Sequence, residues 1–513
     1  MNVNELPRYG SLAKPAVAAG LVVLADFFFF GGEVGSTLGV FALALILATM
    51  AVHADVRAER RAGIGLILAS AAAVALIDAP TLLVWGLFWV ALAVAVIAPR
   101  TPPGEDMGRW AVRLAYLALA GLLAPALDLF SLKIRPGAAR SSVISLLALL
   151  VLPMAGGVVF LWLFSQANPV ISQFLSDLRV PELNVPRLLF WVFCLIGVWT
   201  FLAPRVLNRV WTSAKAKPDH AIPGVTVASV GLSLVVFNAL FGLQNGLDLA
   251  FLWSGAVLPK GVSLADYAHR GAYPLIATAL LAGLFVLIAL RPGSTTAKQP
   301  WLRGLVVVWV GQNIVLVASC ILRTLDYVQA YSLTRLRIAA LVWMVLVAVG
   351  LVLVCWRLMR GKSARWLVNA NALAAGLVLV GCSVVDLGNI AAAWNVDHAR
   401  EVGGGGPPLD LCYLSGLHDS ALVPLSQLQL RPLPAAFGDR VAAVRARTFA
   451  ALADRQNHWR AWTWRGARRL AAARTLAAPE SAAILRARAP SACDGYPQVA
   501  FPGEPVGPRQ APR

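Results

Sequence analysis

Apolar runs of about 20 residues, separated by short polar segments, constrain this chain more than any other feature. A bilayer core about 30 Å thick takes about 20 residues of helix, and every backbone N–H and C=O inside it must be satisfied within the segment. The runs therefore read as membrane-spanning helices. They fall at 15–31, 36–54, 63–78, 80–98, 142–164, 187–204, 223–242, 272–290, 304–322, 338–356 and 367–386. The composition is 59% hydrophobic and 13% charged, with a mean hydropathy of +0.71, far from that of soluble domains. The fold class is all-α, a polytopic membrane helix bundle of 11 spans, with 12 as the alternative. Residues 1–14 are polar, and Ala16 to Phe30 runs on without a small-residue cleavage site. It reads as a retained first helix rather than a signal peptide.

The alternative turns on Trp110 to Leu132, which carries Arg113, Pro125 and Asp128. If this run does not cross, the basic loops 54–62, 99–141, 205–222, 291–303 and 357–366 share one side with the N-terminus. If it crosses, that bias disappears. The positive-inside rule favours eleven spans, a cytoplasmic N-terminus, a periplasmic C-terminal part and 110–132 lying flat on the inner leaflet. The expected place is the bacterial inner membrane. The net charge of +19 is then carried by loops, and no nucleic-acid motif accompanies it. The expected partners are the lipid bilayer and either anionic lipid or another envelope protein.

These features divide the chain into a four-span segment at 1–98, a basic loop with an interfacial helix at 99–141 and a seven-span core at 142–388. A Gly/Pro linker follows at 389–408, where GGGGPP (Gly403 to Pro408) reads as a flexible joint. Residues 409–488 show helical spacing and form an extramembrane domain, and 489–513 is a disordered tail. Cys412 and Cys493 both lie past the last span, where an oxidising compartment permits a disulfide. Two unrelated thiols are the alternative.

Polar residues inside spans are costly and mark function or pairing. Asp26 lies in the first span, and VVFNALFGLQNGLDLAFLW places Asn238, Gln244, Asn245 and Asp248 along the seventh. Asn238 and Asn245 are seven residues apart and share a helix face. Gln312 and Asn313 lie near mid-depth of the ninth span, while Asp266, Arg270, Arg323, Asp326, Tyr327, Tyr331, Arg335 and Arg337 gather near span ends. Each has a plainer reading, as an interhelical hydrogen bond or an interfacial anchor. Arg335 and Arg337 open the tenth span, capped by Ser332 or Thr334. Cations there oppose the helix dipole, and outer arginines oppose the orientation bias. They call for a partner, with Asp326, Asp248 and Asp266 as internal candidates and a phosphate or carboxylate as the external one.

YAHRGAY, LDYVQAYSLTRLRIAALVW, WNVDHAR, LDLCYLSGLHDSALVPL and HWRAWTWRGARR, in that order, resemble a bacterial membrane-protein family catalogued as a domain of unknown function, number four-one-seven-three. The resemblance covers roughly 225–475 and departs at Ser332, where a glycine is usual, and at Thr463, where an asparagine is expected. It implies a many-helix inner-membrane protein with a helical C-terminal part and lends no activity.

No H-E-x-x-H, P-loop or G-x-S-x-G motif is present. The pairs Asp397/His398 and His418/Asp419 are too sparse to indicate a metal site. No metal and no cofactor are expected. The function expected from these features is a non-enzymatic membrane protein with a partner-binding helical tail. Two rivals stay open: a secondary transporter of a small or anionic solute built on Asn238, Asn245, Gln312 and Asn313, and an enzyme acting on lipid-linked or phosphorylated substrate through an aspartate with Arg335 or Arg337.

Overall fold

The structure, a computed structural model, describes residues 10–131, 157, 184–207, 226–253, 281, 285 and 299–476. Among them there are helices and turns and no strand. The helices are α1 (Gly10–Phe29), α2 (Thr37–Val52), α3 (Ala54–Ala58), α4 (Arg60–Asp78), α5 (Leu82–Ile97), α6 (Met107–Ser131), α7 (Val185–Leu202) and α8 (Val227–Asp248). Then come α9 (Pro300–Tyr331), α10 (Arg335–Arg360), α11 (Ala364–Val384), α12 (Leu387–His398), α13 (Leu411–Gly416), α14 (Leu422–Gln429), α15 (Ala435–Asn457) and α16 (Trp464–Thr475).

Eight described helices, α4 to α11, are long and apolar enough to cross a membrane, and α2 is a shorter apolar helix. The chain is a helical membrane protein. Of the expected spans, 142–164 lies outside the described residues apart from residue 157, and 272–290 apart from 281 and 285. The helix ends follow local chemistry. Thr334 caps α10 by accepting from Arg337 N at 3.3 Å, and Ser363 caps α11 by accepting from Trp366 N at 3.2 Å. Helix α10 stops at Gly361, φ 63°, with Arg357 and Arg360 in its last turn, where cations favour the dipole.

The chain divides into two units. The first is Met1–Lys217 with Trp459–Trp464, and the second is Pro218–His458 with Arg465–Arg513. In the first unit, Leu45, Leu76, Phe88, Leu92 and Phe201 of α2, α4, α5 and α7 build one apolar core. Asp26 of α1 is satisfied by Arg187 Nε and Trp191 Nε1, both at 2.8 Å. His53 receives Arg100 Nη2 on Nδ1 at 3.2 Å. Its Nε2 therefore carries the proton and donates to Phe201 O at 3.0 Å. Helix α6 holds a buried pair, Arg113 with Glu105 at 2.8 Å. Near its other end, Asp128 accepts from Arg205 at 2.6 Å and Trp199 Nε1 at 2.8 Å.

The segment Trp459–Trp464 lies across the α1–α2 turn of this unit. Ser36 N donates to Trp462 O at 2.7 Å, and Arg460 Nη1 donates to Phe30 O at 3.2 Å. The Trp459 ring packs 5.3 Å from Phe27. Gly35 permits this: a Cβ there would lie 2.5 Å from Ala461 C and Arg460 O.

In the second unit, Leu234, Leu302, Val306, Trp309, Val310, Met344 and Leu351 form the core shared by α8, α9 and α10. A second core joins Leu414, Leu425, Leu428, Phe437 and Val441 to Ala391, Ala392 and Val396 of α12 and to Leu333 of the α9–α10 turn. The stretch 389–408, expected to be a flexible linker, is ordered. Its first ten residues belong to α12, and the glycines wrap back on that helix's end. Gly404 N donates to Ala399 O at 3.0 Å and Gly406 N to His398 O at 2.9 Å. A Cβ on Gly404 or Gly406 would lie 2.4 or 2.5 Å from His398 O, so the glycines serve close approach and cap open carbonyls.

Candidate functional site

Helices α8 and α9 run side by side in the same direction, joined by a ladder of side-chain amide hydrogen bonds. Asn238 Nδ2 donates to Leu234 O at 2.8 Å and to Leu305 O at 3.2 Å. Gln312 Nε2 donates to Asn238 Oδ1 at 3.2 Å, and Asn245 Nδ2 to Gln312 O at 3.0 Å. Asn313 Nδ2 donates to Trp309 O at 2.8 Å within α9. In hydrocarbon such bonds have no water to compete with them.

At the end of the ladder Asp248 forms an ion pair with Arg323, and both are buried. Gln244 Nε2 donates to Asp248 Oδ1 at 3.0 Å. Immediately after Asp248 the helix widens into a π-helical turn, Leu249–Trp253. Such turns rotate the following side chains and recur at functional sites. Here Trp253 Nε1 reaches Ser319 Oγ at 3.1 Å. Beside the ladder Phe237, Phe241 and Phe285 surround Trp309, with ring centroids 5.2, 5.7 and 5.7 Å from it. Three buried oxygens, Asn245 Oδ1, Gln312 Oε1 and Asn313 Oδ1, accept no hydrogen bond, and Trp309 Nε1 donates none.

Of the residues singled out by sequence, Asn238, Asn245, Asp248 and Arg323 thus lie along one α8–α9 seam together with Gln312 and Asn313. Arg335 and Arg337 do not join them. Arg337 Nη1 donates to Tyr331 O at 2.6 Å and to Ser332 O, and its guanidinium lies 4.4 Å over the Tyr327 ring. It opens α10 but sits at the carbonyl end of α9, where the dipole welcomes a cation. Arg335 N donates to Tyr413 Oη at 2.8 Å, and Arg335 Nη2 to Ser420 Oγ at 3.2 Å. The Tyr331 ring packs tilted against Tyr327, centroids 4.7 Å apart, and Asp326 is exposed on the last turns of α9. Ser332 adopts φ 70°, ψ 164°, a region natural to glycine. Asn395 grips the next residue at both ends, accepting from Leu333 N at 2.7 Å and donating to Leu333 O at 2.9 Å.

Asp266, Arg270 and Cys493 lie outside the described residues, and Cys412 is exposed on α13. A second cluster was not legible beforehand. Arg469 of α16 bridges Asp386 and Asp419. Asp386 also caps α12 by accepting from Gly388 N and Asn389 N, each at 3.1 Å. The pattern Asp386-Leu-Gly-Asn ahead of an apolar stretch was its one available signal. Asp397 pairs with Arg431, and His398 stacks 4.1 Å from Trp394. Among the described residues no group of three or more His, Cys, Asp or Glu could hold a metal ion.

A family model described as a domain of unknown function, DUF4153, matches residues 63–428. The resemblance to a family of unknown function holds, but its number is corrected, and HWRAWTWRGARR lies beyond the matched stretch. No curated protein and no solved structure matches the chain.

Proposed function

The chain belongs to the DUF4153 family, and on that premise we propose that it is an integral membrane protein that binds and moves a small polar solute at the α8–α9 ladder. One observation carries the reading: a buried Asp248–Arg323 pair inside membrane-length helices, set at a π-helical turn. Replacing such a pair with apolar residues often costs nothing, so its presence points to use. The break in regular helix beside it is a feature of transport sites. The tail-partner reading loses support because Arg335, Arg469, Asp386 and Asp419 are engaged within the chain. The phosphate-handling enzyme loses support because Arg337 is held by backbone carbonyls.

The topology that accompanies this reading has eleven spans in the bacterial inner membrane, with the N-terminus cytoplasmic and the C-terminal helices periplasmic. Charge asymmetry between loops supports it. On this reading α6, although long and apolar enough to cross, lies flat on the inner leaflet. The test is reconstitution into liposomes with a panel of amino acids, amines and monovalent ions. Flux of at least one solute, absent in Asp248→Asn, is the expected result. Flux no greater than in empty liposomes for the whole panel refutes transport.

A further inference from the structure

Resting on that site, we propose that its ligand is a small monovalent cation, an alkali ion or an ammonium group, held by side-chain amide oxygens. The orientation of each amide is set by what its NH2 faces. Asn245 Nδ2 meets Gln312 O, and Asn313 Nδ2 meets Trp309 O. Gln312 Nε2 meets Asn238 Oδ1, and Asn238 Nδ2 meets the carbonyls of Leu234 and Leu305. Turning any of these amides would set oxygen against oxygen, so the network itself fixes the assignment. Among these amides and the neighbouring indole, what is left over is one-sided: the oxygens of Asn245, Gln312 and Asn313 against Trp309 Nε1.

Buried acceptors without donors cost free energy and attract whatever can donate to or coordinate them. Gln312 and Asn313 are consecutive on α9, and Asn245 of α8 is bonded to the backbone carbonyl of Gln312. Asp248 and Arg323 together add no net charge. The rings of Phe237, Phe241, Phe285 and Trp309 cluster beside the ladder, and aromatic surroundings suit a cation better than an anion. An anionic solute, one of the classes the sequence left open, would meet a surplus of oxygens over donors here. Amide oxygens without carboxylates suit a singly charged ion, since a divalent ion demands a more charged shell.

The experiment is thermal unfolding of the purified full chain in detergent, titrated with NaCl, KCl or NH4Cl, with N-methylglucamine chloride holding ionic strength constant. A saturable, ion-specific rise in Tm is expected with at least one of the three. The comparison of alkali ion with ammonium identifies the source. Asn313→Asp lowers the half-saturating concentration about tenfold by adding a charge to the shell. Asn313→Leu and, separately, Gln312→Leu keep the fold and lose the response. Equal Tm in all salts, or an unaltered response in both Leu variants, overturns the proposal and leaves only buried water. Stabilisation without flux keeps the cation site and removes transport. Flux without ion-specific stabilisation removes the cation site alone.

Discussion

Arg323 and Asp248 meet across 75 residues of sequence, with 4% and 1% of their side chains exposed. The pair locks α9 to the end of α8 where regular helix gives way to the π-helical turn. Removing one partner strands a charge in a low-dielectric site, while removing both does not. Asp248→Ala or Arg323→Ala is expected to lose about 3–5 kcal/mol. The double change Asp248→Leu/Arg323→Met is expected to regain most of that loss. It falls short by about 1 kcal/mol for the bond from Gln244. Unfolding of detergent-solubilised protein measures this, and additive losses in the double variant would contradict the pairing.

Gly35 decides whether Trp459–Trp464 can lie on the α1–α2 turn. A methyl group there meets the backbone of Arg460 and Ala461, which cannot swing aside. Gly35→Ala is expected to release the segment, losing about 1–3 kcal/mol. Limited proteolysis should then cut near Arg460, a site protected in the parent protein. An unchanged digestion pattern would remove this role for Gly35.

Arg469 keeps two carboxylates, Asp386 and Asp419, close together. Arg469→Ala leaves like charges facing each other and frees α16 from α12. A loss of about 1–3 kcal/mol is expected, with partial recovery in Arg469→Lys, which keeps charge but not the two-pronged grip. Asp419→Asn in the Arg469→Ala background should relieve part of the loss. No relief would mean that repulsion is not the cause.

Acid should weaken the first unit through Glu105. Its hydrogen bonds from Arg113, followed by burial opposing them and then the nearby positive charge, hold its carboxyl below the ordinary 4.5. A depressed folded-state value means that the unfolded chain binds the proton more readily. The stabilisation is complete above about pH 4.5 and is lost as pH falls through the lower folded value. Glu105→Gln is expected to be less stable at pH 7 and to show a flatter acid limb in Tm against pH. An acid limb identical to that of the parent would remove Glu105 from the account.

Much of the architecture was legible. Nine of the eleven apolar runs coincide with helices, because a bilayer leaves length and polarity as the dominant constraints. Asn238 and Asn245, seven apart, do face the same neighbour. The pairing of Asp248 with Arg323 was not legible, since depth alone cannot say which aspartate meets which arginine. The purpose of Arg337 was hidden for a different reason. Its partners are the carbonyls of Tyr331 and Ser332, which no side-chain pattern announces. The run Gly403–Gly406 misled because missing side chains look the same in a sequence whether they serve freedom or close approach.

The central claim is that the α8–α9 ladder is a ligand path and not merely a seam between helices. Water-borne reagents test it most directly. In a background lacking the six native cysteines, Asn245→Cys and Gln312→Cys would be treated in membranes with a cationic, membrane-impermeant methanethiosulfonate. Both are expected to be modified, more slowly in the presence of the stabilising cation, while Leu316→Cys in the apolar core stays unreactive. Protection of Asn245→Cys and Gln312→Cys as complete as that of Leu316→Cys would mean a closed structural seam and would contradict the account.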